Sequence, residues 1–167
     1  MHDIAILYGT NTGNTERVAE MIRDLLPDKK VFLINVGIAS RDDLENHDIL
    51  ILGTSTWGLA EMQHDWEKYI ATLEKADLSG KTVALYGLGD QYHYYENFVD
   101  GMGDLYNIIE DKGCRIIGAW PMEGYNFGKS RALLENNFVG LPIDEVNQPD
   151  FTLPRIKKWI SNIKPYL

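Results

Sequence analysis

Cysteine is almost absent from this chain. Cys114 stands alone, so no disulfide can close within the chain, and it reads as a small buried residue. No uninterrupted apolar stretch approaches the ~20 residues of a membrane-spanning helix. Met1-His2-Asp3 leads straight into an apolar segment with no leader pattern. With the lone thiol, that makes the cytoplasm the expected compartment. Basic residues are scarce: 16 Lys and Arg face 25 Asp and Glu, a formal net charge of −9. Such a balance excludes nucleic acid and anionic membranes as partners. It fits both the steering of basic proteins and plain solubility. The four histidines show no metal-ligand spacing. Repeats, low-complexity tracts and inter-domain linkers are also missing, so residues 1–167 are expected to form one domain.

What is present is an alternation of strand and helix patterns. Residues 3–8, 30–35, 48–53, 82–87 and 115–120 read as strands. The run Ile49-Leu50-Ile51-Leu52 is continuously apolar, as a parallel strand buried on both faces must be. Between them, Val18, Met21, Ile22 and Leu25 recur at helical spacing. Trp66, Tyr69, Ile70 and Leu73 do the same, as do Met102, Leu105, Tyr106 and Ile109, then Ile156, Trp159, Ile160 and Ile163. A short polar helix is expected over 39–46, opened by Ser40. The pattern predicts a three-layer α/β fold around a five-stranded parallel sheet. An insertion at about 121–142 interrupts the alternation near the last strand. It is rich in Gly, Asn and aromatics, and its Arg131-Ala132-Leu133-Leu134 reads as a helical fragment.

The loop after the first strand, Gly9-Thr10-Asn11-Thr12-Gly13-Asn14-Thr15, opens a helix with small hydroxyl, amide and glycine residues. Backbone N–H groups at such a junction bind phosphate. No Lys or Arg lies between Gly9 and Glu16, which excludes a nucleoside triphosphatase loop, and no GxGxxG fingerprint is present. A terminal monophosphate remains. Two further loops follow strands at the same end of the sheet, where doubly wound folds bind ligands. They read Thr54-Ser55-Thr56-Trp57-Gly58-Leu59-Ala60-Glu61 and Leu88-Gly89-Asp90-Gln91-Tyr92-His93-Tyr94-Tyr95-Glu96-Asn97. Their aromatics suit a flat ring held between two faces. They equally suit a cap on the sheet end or a protein contact.

Taken together, these segments resemble the flavodoxins of the long-chain type, and the resemblance runs from Ile4 to Ile163. It is carried by residues 9–15, by Thr-Trp-Gly-Leu-Ala-Glu-Met-Gln at 56–63 with Asp65-Trp66, and by Gly-Asp-Gln at 89–91 with Tyr94 and Asn97. Phe138-Val139-Gly140-Leu141, Asp144-Glu145 and Asn147-Gln148 complete it. The resemblance implies a doubly wound fold with strand order 2-1-3-4-5 and an insertion in the last strand. It implies a low-potential carrier that binds FMN non-covalently and cycles mainly between neutral semiquinone and hydroquinone, with no substrate turnover of its own. Thr10, Asn11, Thr12, Gly13, Asn14 and Thr15 would hold the phosphate. Thr56 would approach the ribityl chain, and Ser55 would belong to the same cofactor-binding set. Trp57 and Tyr94 would cover the two ring faces. Gly58 and Leu59 would face flavin N(5), with Gly58 letting its peptide rotate, and Ala60 would belong to the same cofactor-binding loop. Backbone groups of Gly89, Asp90 and Val99 would hydrogen-bond the pyrimidine edge, with Asn97 beside them, and Leu88 and Phe98 would belong to the same cofactor-binding set.

The resemblance also implies a monomer with transient partners. These are a flavodoxin/ferredoxin–NADP reductase-type donor and basic-surfaced acceptor enzymes. The chain departs from the family pattern at Asn14, Ala60, His93, Tyr95 and Val146; Val146 stands where relatives often carry an Asp near the ribityl hydroxyls. His93 is either an inert exposed residue or a source of pH sensitivity near its ordinary pKa of about 6.5. A flavin-dependent quinone reductase on the same fold is the alternative from another class. A phospho-acceptor domain is excluded, because Tyr8-Gly9 and Gly53-Thr54 occupy the positions its acidic residues require.

Overall fold

Alternating side-chain direction along the strands divides the interior into two cores. In a computed structural model, which describes residues 2–57 and 61–167, Ala5, Leu7, Leu50, Leu52, Val83 and Leu85 face one side of a central sheet. Ile4, Ile6, Ile49, Ile51, Ala84 and Tyr86 face the other. Both sets are buried, and this period-two split within continuous apolar runs is why the strands are parallel and central.

In chain order the elements are β1 (Ile4–Tyr8), α1 (Asn14–Asp24), β2 (Val31–Asn35), α2 (Asp42–Glu45), β3 (Ile49–Trp57), β4 (Glu61–Met62) and α3 (His64–Lys75). They continue with β5 (Thr82–Leu88), α4 (Asp100–Ile109), β6 (Arg115–Ile117), β7 (Trp120–Pro121), β8 (Leu133–Leu134), β9 (Asn137–Phe138), β10 (Leu141–Ile143) and α5 (Thr152–Ile163). The parallel order is β2-β1-β3-β5, and β5 is flanked by two pieces of a fifth strand. β6 pairs with Thr82–Ala84 and β10 with Tyr86–Leu88. This is the expected 2-1-3-4-5 order, with the insertion looped out of the fifth strand. α3 and α4 cover one face through Trp66, Leu73, Met102 and Leu105. α1 and α5 cover the other through Val18, Ile22, Ile156 and Trp159. None of the described helices is long and apolar enough to cross a membrane.

Three expectations need correction. Residues 131–134 are not helical: Leu133-Leu134 form β8 in a small antiparallel sheet, order β7-β9-β8. The fifth strand breaks at Gly118, whose φ of 89° leaves the strand region, so Trp120 joins the small sheet instead. The chain returns to the main sheet at Leu141, so Leu141 and Pro142 belong to β10. Cys114 is half-buried rather than buried, and its thiol donates to the Ile109 carbonyl at 3.4 Å.

Candidate functional site

Strand order reverses between β1 and β3, which opens a crevice at their carboxyl ends. The first of its walls is the loop from Gly9 to Thr15. The Gly9 amide donates to the Gly53 carbonyl at 3.2 Å, tying the loop to β3. Gly13 takes φ 87° and donates its N–H to Thr10 Oγ1 at 2.9 Å, which turns the chain into α1. No side chain caps that helix. Among the described residues, the amides of Thr10, Asn11, Thr12, Asn14 and Thr15 donate to no protein acceptor. Five unpartnered N–H groups at the positive end of an eleven-residue helix form an anion cradle. The first cation beyond it, Arg17, is already paired with Glu145 at 2.7 Å. Behind the cradle, the buried Tyr86 hydroxyl donates to the Thr15 carbonyl at 2.9 Å. Tyr8 donates to Glu16 at 3.0 Å. Burial and then the Glu16 carboxylate push the Tyr8 hydroxyl up to about 12, so it stays a neutral donor.

β3 delivers the second wall. Ser55 and Thr56 are buried. Ser55 Oγ accepts from Trp57 Nε1 at 3.0 Å, and Thr56 Oγ1 accepts from the Gly101 amide at 2.8 Å. The Trp57 ring is half-buried and meets Tyr94 edge to face, with ring centroids 6.4 Å apart and planes at 86°. Two aromatic faces need about 7 Å between them to admit a planar ring in contact with both. At 6.4 Å and edge to face the two rings leave no such slot, so these side chains have to rearrange for a planar ring to enter between them. Gly58, Leu59 and Ala60 lie outside the described residues, and with them the N(5) contact.

The third wall, residues 88–100, is organised by a buried polar network. Asp90 is 5% exposed and Asp144 0%. Asp90 Oδ1 accepts from the Tyr92 amide at 3.2 Å, the His93 amide at 3.0 Å and Asn147 Nδ2 at 2.8 Å. His93 Nδ1 lies 2.7 Å from Asp90 Oδ2. Burial tends to raise the Asp90 carboxyl. The His93 amide, Asn147 and the His93 ring outweigh it and hold the group below its ordinary value. Asp144 Oδ1 accepts from the amides of Val146 and Asn147, and its Oδ2 accepts from Gln91 N, Gln91 Nε2 and Asn147 Nδ2. One asparagine nitrogen thus donates to both buried carboxylates, and no Lys or Arg joins them among the described residues.

Other predicted residues take narrower roles. The Gly89 amide donates to Ile143 in β10 at 2.9 Å, which leaves only its carbonyl for a ligand. Leu88 packs in the core beneath α1 and α5. Phe98 is fully buried among Tyr125, Phe127 and Phe138, and its amide donates to the Lys129 carbonyl. Its side chain is core, not site. Asn97 sits between the Tyr94 carbonyl and the Asp100 carboxylate. Val99 adopts φ 49°, and among the described residues its amide has no acceptor; nor has that of Asp90. Asp144, Asn147 and Gln91 are the members of this wall that sequence reasoning left off the site. The signal that could have found them is their place in the Gly-Asp-Gln, Asp144-Glu145 and Asn147-Gln148 segments that carry the resemblance. No group of three or more metal-ligating side chains is assembled among the described residues.

A family model described as flavodoxin matches residues 6–159. The flavodoxin of Klebsiella pneumoniae is 45% identical over 161 residues, covering 96% of this chain and 92% of that protein. The flavodoxin of Synechocystis sp. is 44% identical over 168 residues, covering 100% and 99%. The crystal structure of Fusobacterium nucleatum flavodoxin bound to flavin mononucleotide superposes with a TM-score of 0.95 at 34% identity, covering 100% of this chain and 99% of that one. The switch-point rule for ligand placement was itself drawn partly from such folds. By sequence over its full length and by structure, the chain belongs to the flavodoxin family.

Proposed function

We propose that this chain is a single FMN-binding domain that carries electrons one at a time at low potential, without turning over a substrate. The observation that supports it best is the convergence of an anion cradle with two neighbouring aromatic rings, Trp57 and Tyr94, at one strand-order reversal. The solved relative from Fusobacterium nucleatum carries flavin mononucleotide. FMN supplies the redox chemistry, mainly between neutral semiquinone and hydroquinone. The chain supplies binding, orientation and a field. Thr10 to Thr15 hold the phosphate by N–H and hydroxyl donors at a helix N-terminus. Ser55 and Thr56 flank the ribityl chain, and Trp57 and Tyr94 cover the ring faces. The amides of Asp90 and Val99 meet the pyrimidine edge, with the Gly89 carbonyl and Asn97 beside them.

The field follows from charge placement. Among the carboxylates nearest this site, Asp100 is matched by Arg131 at 3.3 Å and Glu145 by Arg17 at 2.7 Å. Among the described residues Asp144 has no such match, and Asp90 has only the His93 ring at 2.7 Å rather than a Lys or Arg. An electron added beside them is disfavoured. One charge at ~10 Å in a water-like medium costs about 0.4 kcal/mol, or roughly 17 mV for one electron. The exposed Glu61 and Glu67, together with Glu96, which Lys129 partly offsets at 3.4 Å, present a negative rim. It suits transient docking of a monomer with a flavodoxin/ferredoxin–NADP reductase-type donor and with basic-surfaced acceptors.

Stepwise anaerobic reduction of the FMN-loaded protein, followed by absorption, tests this. A blue one-electron species preceding full reduction supports the carrier. Direct passage to the two-electron form, together with steady oxidation of NAD(P)H, replaces it with a quinone reductase. Failure to bind flavin refutes both.

A further inference from the structure

Gln63 lies just beyond the second loop and is 1% exposed. Its Oε1 accepts the Trp66 amide at 3.1 Å, capping α3. A backbone N–H is an unconditional donor, so it determines which end of the Gln63 amide faces it. Nε2 must then point the other way, where it donates to Asn11 Oδ1 at 3.0 Å and Asp65 Oδ2 at 3.3 Å. Asn11 belongs to the anion cradle. Because Gln63 presents a donor to it, Asn11 must present its oxygen to Gln63. Its Nδ2, which carries two protons, is then turned away on an exposed side chain. Gly9 makes this contact possible: a Cβ there would overlap the Gln63 amide and the Trp66 ring.

We infer that Gln63 is a positioning residue for phosphate recognition. It orients the Asn11 amide so that a donor rather than an acceptor faces the anion. The chain of orientation runs from the Trp66 amide through Gln63 to Asn11. It rests on reading the cradle as the FMN phosphate site. It adds a source of specificity for a phosphorylated over an unphosphorylated flavin, lodged in a residue that touches neither.

The test is fluorescence titration of the flavin-free full chain with FMN and with riboflavin, which lacks the phosphate. The readout is the ratio of the two dissociation constants. Asn11→Ala, an exposed change, is expected to reduce FMN affinity roughly tenfold and leave riboflavin affinity unchanged, as loss of one hydrogen bond to a charged group implies. Gln63→Met removes the orienting donor without adding charge. It is expected to shrink the ratio by several fold and to have no further effect on the ratio in the Asn11→Ala background. Equal weakening of both flavins by Gln63→Met makes Gln63 a structural cap and overturns the inference. An unchanged ratio in Asn11→Ala overturns it even where Gln63→Met fails to fold. A parent protein that binds the two flavins equally refutes the phosphate reading of the loop before either variant is considered.

Discussion

Replacing Asp144 by asparagine changes one atom and tests whether the buried network depends on acceptors alone. All five partners of the Asp144 carboxylate are N–H donors. An amide keeps one acceptor oxygen and sets an NH2 group against the other donors. If that oxygen stays on the tight turn made by the Val146 and Asn147 amides, the NH2 faces Gln91. Gln91 is 0% exposed, so its backbone and side-chain N–H groups have no water to turn to. Each stranded donor costs about 1–3 kcal/mol, while Asn147 keeps its bond to Asp90. Removing the buried charge returns part of the loss. Asp144→Asn is therefore expected to cost about 3 kcal/mol, nearly as much as Asp144→Ala. Urea unfolding of the flavin-free protein, followed by circular dichroism, reads this directly. With a slope of about 2 kcal/mol/M, the midpoint falls by about 1.5 M. A fall of less than about 0.5 M refutes the reasoning, because the donors would then have found other partners.

Three further outcomes follow from the same structure. Gly53→Ala sets a Cβ into the buried Tyr86 ring; it should destabilise by about 3 kcal/mol and weaken FMN binding, since Tyr86 supports the Thr15 carbonyl. A neutral urea midpoint would contradict it. The Asp90 carboxyl is held below its ordinary value of 3.8, so its stabilisation is complete above about pH 4 and lost as pH falls through the folded value. Asn147→Ala removes one of the donors that depress it and should flatten the dependence of stability on pH below about 4, measured by unfolding at several acid pH values. Finally, the glycine expected to let its peptide rotate predicts that Gly58→Ala makes the first one-electron potential about 40 mV more negative, from ~1 kcal/mol of backbone strain. An unchanged potential in a redox titration removes that argument.

The central strands β1, β3 and β5 were legible because each is buried on both faces and so reads as an apolar run, and the half-buried edge strands β2 and β6 keep enough of that pattern to be read. The phosphate loop was legible because its chemistry lies within seven consecutive residues. The 131–134 segment was not. Its residues favour helix locally, but the Ala132 carbonyl accepts from Val139 and the Arg131 amide donates to Asp100 at 2.6 Å. The turn that closes β8 onto β9 places Glu135 at φ 59°, so the left-handed residue is a glutamate and not the asparagine beside it, Asn136, whose type favours that conformation. The same limit hid Gln63, Gln91 and Asn147. Their partners lie 52, 53 and 57 residues away along the chain, so although each stands in a segment that carries the resemblance, nothing local says what it bonds to. Gly89 and Phe98 show a subtler limit: their positions were foreseen, but their amides are already engaged by Ile143 and Lys129.

β5 serves as a common rail for two separate pieces of chain. β6 leaves it opposite Ala84 and β10 joins it opposite Tyr86, so only the rung at Leu85 lies between exit and return. At that rung Gly140 approaches so closely that a Cβ would strike the Leu85 carbonyl. Everything from Gly118 to Gly140 is therefore a detour whose two ends are one step apart on the sheet. Its length can change without shifting the register of any site-bearing strand. Variation there can reshape the rim presented to partners while the cofactor's surroundings stay in place, provided that the stretch from Asn126 to Arg131, which bonds Gln91, Tyr95, Phe98 and Asp100, keeps its grip on the third wall.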